Sequence, residues 1–260
     1  MPLARLQQEA AGFSRLANVK SSTSSSASRK KNDGPKVAAC GDDQILVDFQ
    51  EEPHANEATR VLWSRLMQHP PAYCLEPVAG VATLAVVLNS DARNDEVRRQ
   101  ACAELIALAR DAVGVSAGEG AHHVIPVCYA AEMAPDLERV AQLTHLTTAE
   151  VIRLHQEGRY LAELIGFMPG FAYMSGVDPR LSVPRLPQPR PVVPVGALAI
   201  TGHQSAIYPT ATPGGWNLIG RCPIRLFNPE LNPPCLIQLG DQVQFESISS
   251  AQFDRLWAKR

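Results

Sequence analysis

The sequence predicts an α+β protein, with a small ferredoxin-like α/β unit followed by a mostly β unit that forms a closed or nearly closed barrel. Two observations predict it. Over the first half of the 260 residues, stretches with the alternation of strands and stretches with the 3.6 period of helices follow one another in turn. From Gly166 to Pro234 the chain instead holds eight of its 17 glycines and most of its 21 prolines. Proline fixes φ and lacks a backbone donor, and glycine permits φ > 0, so this part is short strands joined by shaped turns. The division that follows is a disordered, dispensable basic Ser-rich tail over 1–36, the α/β unit over 37–121, the barrel unit with inserted helices over 122–250, and a C-terminal tail over 251–260.

The elements follow in order. Ile45, Val47 and Phe49 face one way from a strand that ends near Phe49. His54 to Gln68 carries an apolar stripe at Ala58, Val61, Leu62 and Leu66, which predicts a helix. Val81 to Leu88 is a continuous, Val-rich apolar run and reads as a buried strand. Asp91 to Ala112 repeats apolar residues at Val97, Ala101, Leu105, Leu108 and Ala112, a long amphipathic helix. Val124 to Cys128 is the next strand. A helix then starts near Pro135-Asp136, with proline in the first turn where its missing donor costs nothing. Thr147 with Glu150 three residues on is a capping box, Leu146 is placed to staple against Val151, and that helix ends at Gly158. The chain closes with strands over Cys235–Leu239 and Gln242–Ser247.

Bulk properties exclude several classes. An apolar fraction of 45% with 19% charged residues belongs to a globular chain able to bury a core. A net charge of −2 is not that of a general nucleic-acid binder. No run approaches the roughly 18 apolar residues of a membrane-spanning helix. The six cysteines are scattered without a CxxC pair, which reads as reduced thiols in a cytoplasmic protein. His122 and His123 would point to opposite faces of a strand and make a poor metal clamp, so a structural or surface role is expected and no metal site is evident. The first 36 residues carry seven basic residues and two acids around a Ser-rich run. They resemble a transit peptide, or an extension of the folded part.

Charge singles out the Gly/Pro-rich part. Between Gly166 and Pro229 lie five arginines, one acid (Asp178) and no lysine, a net +4 against −6 for the remainder. From Val37 to Ala258 there is no lysine anywhere, so no Walker-type phosphate loop and no Schiff base is available. Any ATP-dependent step is carried out elsewhere, and no organic cofactor is evident. A Ser–His pair at His203 and Ser205 lacks a nearby acid, so Ser205 is expected to hydrogen-bond a loop rather than act as a nucleophile. No catalytic residue is assigned. Gly214 and Gly215 beside Trp216 let a backbone approach a ligand closely. Gln204, Tyr208 and Arg221 add groups that orient an amide or carboxylate. Arg185, Arg190 and His203 complete the candidate substrate-binding set, expected on one face or pocket of the barrel. Tight barrel turns around an aromatic plug, or arginines paired with acids of the other unit, are the plainer readings of the same residues.

The motif series is specific to one family. Ile125-Pro-Val-Cys-Tyr129, Glu132-Met-Ala-Pro-Asp-Leu137, Glu150-Val-Ile-Arg-Leu-His155 and Gly166-Phe-Met-Pro-Gly-Phe171 come first. Asp178-Pro-Arg-Leu181, Pro189-Arg190, Ile207-Tyr-Pro209 and Pro213-Gly-Gly-Trp216 through Arg221 follow. Together they resemble the B-type subunits of bacterial 5-oxoprolinase, a family also called allophanate hydrolase subunit 1, over roughly residues 37–250. The resemblance implies a cyclophilin-like β-barrel after the α/β domain. It implies one subunit of a complex that opens 5-oxoproline to glutamate with ATP and water. Its partners would be a carboxyltransferase-like C-type subunit and an A-type subunit of the same 5-oxoprolinase. It also leaves two alternatives: a regulatory protein inhibiting a histidine kinase, and the carboxyltransferase half of a biotin-dependent urea carboxylase or allophanate system. The chain departs from the family pattern at Ala130, Ala131, Ala134 and His203.

Overall fold

The computed structural model describes residues 34–260. Most of the basic tail expected over 1–36 therefore lies outside the described residues, and Lys36 already opens the first strand.

The first layer is a four-stranded antiparallel sheet of β1 (Lys36–Cys40), β2 (Gln44–Asp48), β3 (Cys74–Ala79) and β4 (Thr83–Leu88), in the order β1-β2-β4-β3. Helices α1 (Ala55–Gln68) and α2 (Asp95–Arg110) cover one face. Alternation decides which face: Ile45, Val47, Leu84, Val86 and Leu88 are fully buried and join Leu62, Leu66 and Leu105 in one core. Both β2 and β3 run antiparallel to β4 between them, so β2–α1–β3 is a split β-α-β unit. The strand beside β2 is β1, which precedes the unit in sequence instead of following α2. The helix expected over Asp91–Ala112 is interrupted. Asn89 caps a single turn at Ser90–Ala92, and Asn94 then accepts the Val97 N–H at 3.0 Å and starts α2 afresh.

The second unit is a seven-stranded sheet in the order β12-β9-β10-β7-β6-β13-β5. Its strands are β5 (His122–Val127), β6 (Tyr160–Ile165), β7 (Ala172–Ser175), β9 (Ala197–Thr201), β10 (Gln204–Ile207), β12 (Asn217–Arg221) and β13 (Gln242–Ser247). The short strands β8 (Arg190–Val193) and β11 (Thr212–Gly214) pair into a separate ribbon. Only β5 and β13 run parallel. The two ends of the sheet meet where the N–H of Cys128 bonds the Arg221 carbonyl at 2.8 Å and the Arg221 N–H bonds the Cys128 carbonyl at 2.9 Å. That exchange leaves a nearly closed, barrel-like sheet with few unpaired edge groups.

Two helices, α3 (Leu137–Thr144) and α4 (Thr148–Glu157), pack on the sheet through Val140, Val151 and Leu154. The capping box of α4 is present as expected, Thr147 and Glu150 satisfying each other's backbone N–H. Two expectations need correction, and one strand has no counterpart among them. Residues 235–239 form no strand, only an isolated bridge from Phe227 to Cys235, because Pro233 and Pro234 deprive the approach of donors. Tyr160–Ile165 is a strand although Leu161, Ala162, Glu163 and Leu164 favour helix, so pairing with β7 and β13 overrides propensity. Residues 251–260 are not a tail: α5 (Ser250–Trp257) is capped by Ser249 and Gln252 and buries Phe253.

Candidate functional site

Alternation along β9 and β10 gives the sheet two apolar faces. Leu198, Ile200 and Ile207 join the core under α3 and α4, while Ala197, Ala199, Ala206 and Tyr208 join a second cluster on the opposite face. The second cluster is aromatic. Phe171 lies 4.8 Å from Tyr173, 5.3 Å from Tyr208 and 6.2 Å from Trp216 between ring centroids, all edge-to-face. Phe167 adds a fifth ring 5.3 Å from Phe171; it is half exposed and held at φ 69, a conformation a bulky residue avoids. The small residues Ala197, Ala199 and Ala206 make the floor beneath these rings.

Glycine is required where the ribbon crosses this face. A Cβ at Gly214 would sit 2.7 Å from the Tyr208 hydroxyl oxygen, so that phenol can occupy its position only over a bare backbone. Pro189 stands against Gly215. The segment bearing Arg185 is fastened on three sides. Asn217, fully buried, donates to the Pro184 carbonyl at 2.9 Å; Leu186 N–H bonds Gly215 at 2.7 Å; and Gly202 N–H bonds Val183 at 2.7 Å. Arg185 itself is exposed and acts on both phenols. Burial pushes the Tyr208 hydroxyl up to about 12 and Tyr173 adds to this, while Arg185 and Arg190 pull it back. Burial likewise raises Tyr173 against the pull of Arg185. Both phenols therefore stay protonated near neutral pH, as donors beside two cations.

Arg190 has a second duty. Its Nη2 donates to Asp136 Oδ1 at 2.6 Å, and Asp136 Oδ2 accepts the Leu218 N–H at 2.7 Å. Its Nη1 is buried without a hydrogen-bond partner. The balancing acid thus comes from the barrel unit and not from the α/β unit.

The nine expected site residues do not form one pocket. Arg185, Arg190, Tyr208, Gly214, Gly215 and Trp216 come together on the aromatic face. His203 and Gln204 sit at the β9–β10 turn, Gln204 pairing with Thr201 and Ser175. Four residues along β10, at ~3.3 Å each, separate Gln204 from Tyr208. Arg221 is elsewhere: it ends β12, donates from Nε to the Val195 carbonyl at 2.9 Å, and lies 4.6 Å from the Trp257 ring of α5. No acid pairs with it among the described residues, and burial lowers its pKa. The residues that the sequence does not single out are Phe171, Tyr173, Asn217 and Asp136. The motif series contains Phe171, Asp136 and Asn217, which is a usable signal for those three; no motif contains Tyr173.

His155 and Ser205 do meet, but inside the barrel. His155 is fully buried, stacked 4.7 Å from Phe245, with Tyr129 Oη 2.9 Å from Nδ1 and Ser205 Oγ 3.3 Å from Nε2. Ser205 spends its own proton on the Ala199 carbonyl. Nε2 must then carry the imidazole proton and donate to Ser205, and Tyr129 donates to Nδ1. Burial lowers the His155 pKa to about 3. Ser205 thus bonds the Ala199 carbonyl of β9 and His155 inside the barrel, where a loop partner was expected. His123 has a structural partner as well, Asp241 at 2.8 Å.

A family model for the carboxyltransferase domain, subdomain C and D, matches residues 35–237. A Bacillus subtilis protein, named as the B subunit of 5-oxoprolinase, is 46% identical over 129 residues, 50% of this chain and 54% of that one. The crystal structure of TTHA0988 superposes with a TM-score of 0.67 at 32% identity, covering 80% of this chain and 40% of that one. Kluyveromyces lactis urea carboxylase has the same fold, with a TM-score of 0.66 at 19% identity over 87% of this chain and 23% of that one. The chain spans about half the length of the curated relatives it matches.

Proposed function

Because the chain belongs to the carboxyltransferase domain family, subdomain C and D, we propose that it is the B-type subunit of an ATP-dependent 5-oxoprolinase. The observation that carries this is the 46% identity to a protein named as that subunit. In this reading a carboxyltransferase-like C-type subunit and an A-type subunit complete the enzyme, and ATP is consumed by the complex. The barrel is of cyclophilin-like type, supported by the closing exchange at Cys128 and Arg221. The first layer is ferredoxin-like with its edge strand moved to the front, supported by the split β2–α1–β3 unit. Six free cysteines suit the reducing cytoplasm.

The aromatic face suits the substrate of that reaction. A 5-oxoproline anion presents one carboxylate and one ring amide. Arg185, exposed beside the phenols, attracts the carboxylate, and Arg190 adds its positive charge from beneath. The protonated Tyr208 hydroxyl donates to the amide oxygen, a bond that strengthens as negative charge builds there. The rings of Phe171, Tyr173 and Trp216 exclude water from the ring carbons. Affinity capture of the tagged chain from its own cells tests the assembly. Recovery of companion 5-oxoprolinase-like subunits is the expected result. Recovery of a biotinylated protein instead would favour the carboxyltransferase-half reading, which the fold likeness to urea carboxylase supports.

A further inference from the structure

A hollow lies between the α/β layer and the barrel, away from the aromatic face. It consists of two adjoining lobes of about 380 and 340 Å³ that share Arg60, Ser116, Gly118, Glu119 and Gly240. Arg65 lines the first lobe, and Arg159 and Glu57 line the second. Three guanidinium groups therefore face one cleft. Arg60 Nε donates to Asn56 and Arg65 donates to the Asp111 carbonyl, but neither these two nor Arg159 forms an ion pair among the described residues. The two acids are similarly uncommitted to those cations. Glu57 lies 3.7 Å from His54 and accepts a long 3.5 Å bond from Ser116, and Glu119 is exposed on the connecting segment.

This mixture selects a ligand by charge. A simple anion would meet Glu57 and Glu119, and a simple cation would meet three arginines. A zwitterion with more negative than positive charge satisfies both sets, its carboxylates on the guanidiniums and its ammonium on the acids. The cleft is of ordinary ligand-site size and lies at a junction of two units, where such sites concentrate. Backbone approach is close there: a Cβ at Gly120 would lie 2.5 Å from the Gly240 carbonyl oxygen. We propose that this cleft is a separate binding site for a small amino dicarboxylate, a molecule with two carboxylates and one ammonium. Its substrate-like relative 5-oxoproline has an uncharged amide nitrogen and does not belong to that class. The site stands on the cleft alone and does not depend on the catalytic reading of the aromatic face.

Calorimetric titration of the full chain with L-glutamate, glutarate and 5-oxoproline tests it. Glutamate should bind saturably. Glutarate, which lacks the ammonium, should bind at least about tenfold more weakly. Glu119→Gln should weaken glutamate and leave glutarate unchanged or tighter, narrowing the gap between them. Arg159→Ala, at an exposed position, should weaken both, whereas Arg185→Ala on the aromatic face should leave both unchanged. No saturable glutamate binding, equal affinity for glutarate, or loss of binding in Arg185→Ala instead of Arg159→Ala would each overturn the proposal.

Discussion

Arg190 and Asp136 tie the β8–β11 ribbon to the start of α3 through a 2.6 Å bond between Nη2 and Oδ1, and the second carboxylate oxygen holds the Leu218 N–H. One acid thereby fixes the ribbon, the helix and strand β12 together beneath the aromatic face. Asp136 is almost fully buried, so removing Arg190 leaves a buried side chain without its ion-pair partner.

Arg190→Ala should cost about 3 kcal/mol, the lower end for breaking a buried pair, because 28% of the arginine side chain still reaches solvent. Chemical denaturation reads this directly. A loss below about 1 kcal/mol would mean that the pair does not organise the ribbon.

Arg221 packs against α5 and is expected to hold that helix in place. Its guanidinium lies 4.6 Å from the Trp257 ring and 5.7 Å from the Phe253 ring, and its Nε bonds Val195. Arg221→Ala should cost about 2 kcal/mol, from the stacking and the lost charge-assisted bond. Limited proteolysis should then cut near α5 first, while ligand binding at the aromatic face is retained. Unaltered stability with abolished turnover would return Arg221 to the substrate site.

Ser205→Ala removes the acceptor of the His155 Nε2–H and should cost about 1–2 kcal/mol. Turnover of the assembled enzyme should stay within a few-fold of the parent. A loss of several orders of magnitude would make Ser205 a nucleophile after all.

His155 gives the fold an acid-sensitive core. Its folded pKa is about 3 against an unfolded value of about 6.5, so the unfolded chain binds a proton that the folded chain does not. The sign is therefore loss of stability as pH falls below ~6.5, at up to about 1.4 kcal/mol per pH unit, with no contribution above. Carboxylates with lowered values, Asp178 at about 2 and Glu150, lose their contribution only at more acid pH. Denaturation midpoints should fall between pH 6 and 5 in the parent and fall less in His155→Gln. Equal slopes in the two proteins would exclude His155 as the source.

How much of this is legible in the sequence varies with the range of the interaction. The capping box at Thr147 and Glu150 needs only three residues, and the sequence shows it directly. The same motif at Ser249 and Gln252 is just as local, yet a short stretch at the chain end reads as a tail until Phe253 is seen buried. Strand β6 is hidden because its Leu161, Ala162 and Leu164 favour a helix until β7 and β13 pair with them. Composition gathers the candidate residues into one segment, but Trp216 immediately precedes β12 and Arg221 ends it. A segment rich in arginine looks like one cluster in sequence, whereas Arg190 starts β8, Arg221 ends β12 and Arg185 lies on the loop before β8. Asp136, 54 residues from Arg190, cannot be matched to it without the fold.

In the proposed function the Arg185–Tyr208 face serves the opening of a cyclic amide within a multi-subunit enzyme. The most direct test is ATP-dependent formation of glutamate from 5-oxoproline by the chain reconstituted with its companion subunits, compared with the double variant Arg185→Ala, Tyr208→Phe. Turnover is expected only in the complete assembly, with a drop of at least about a hundredfold in the double variant and little change in melting temperature. Full activity in that variant, or no ATP-dependent glutamate from the complete assembly, would contradict it.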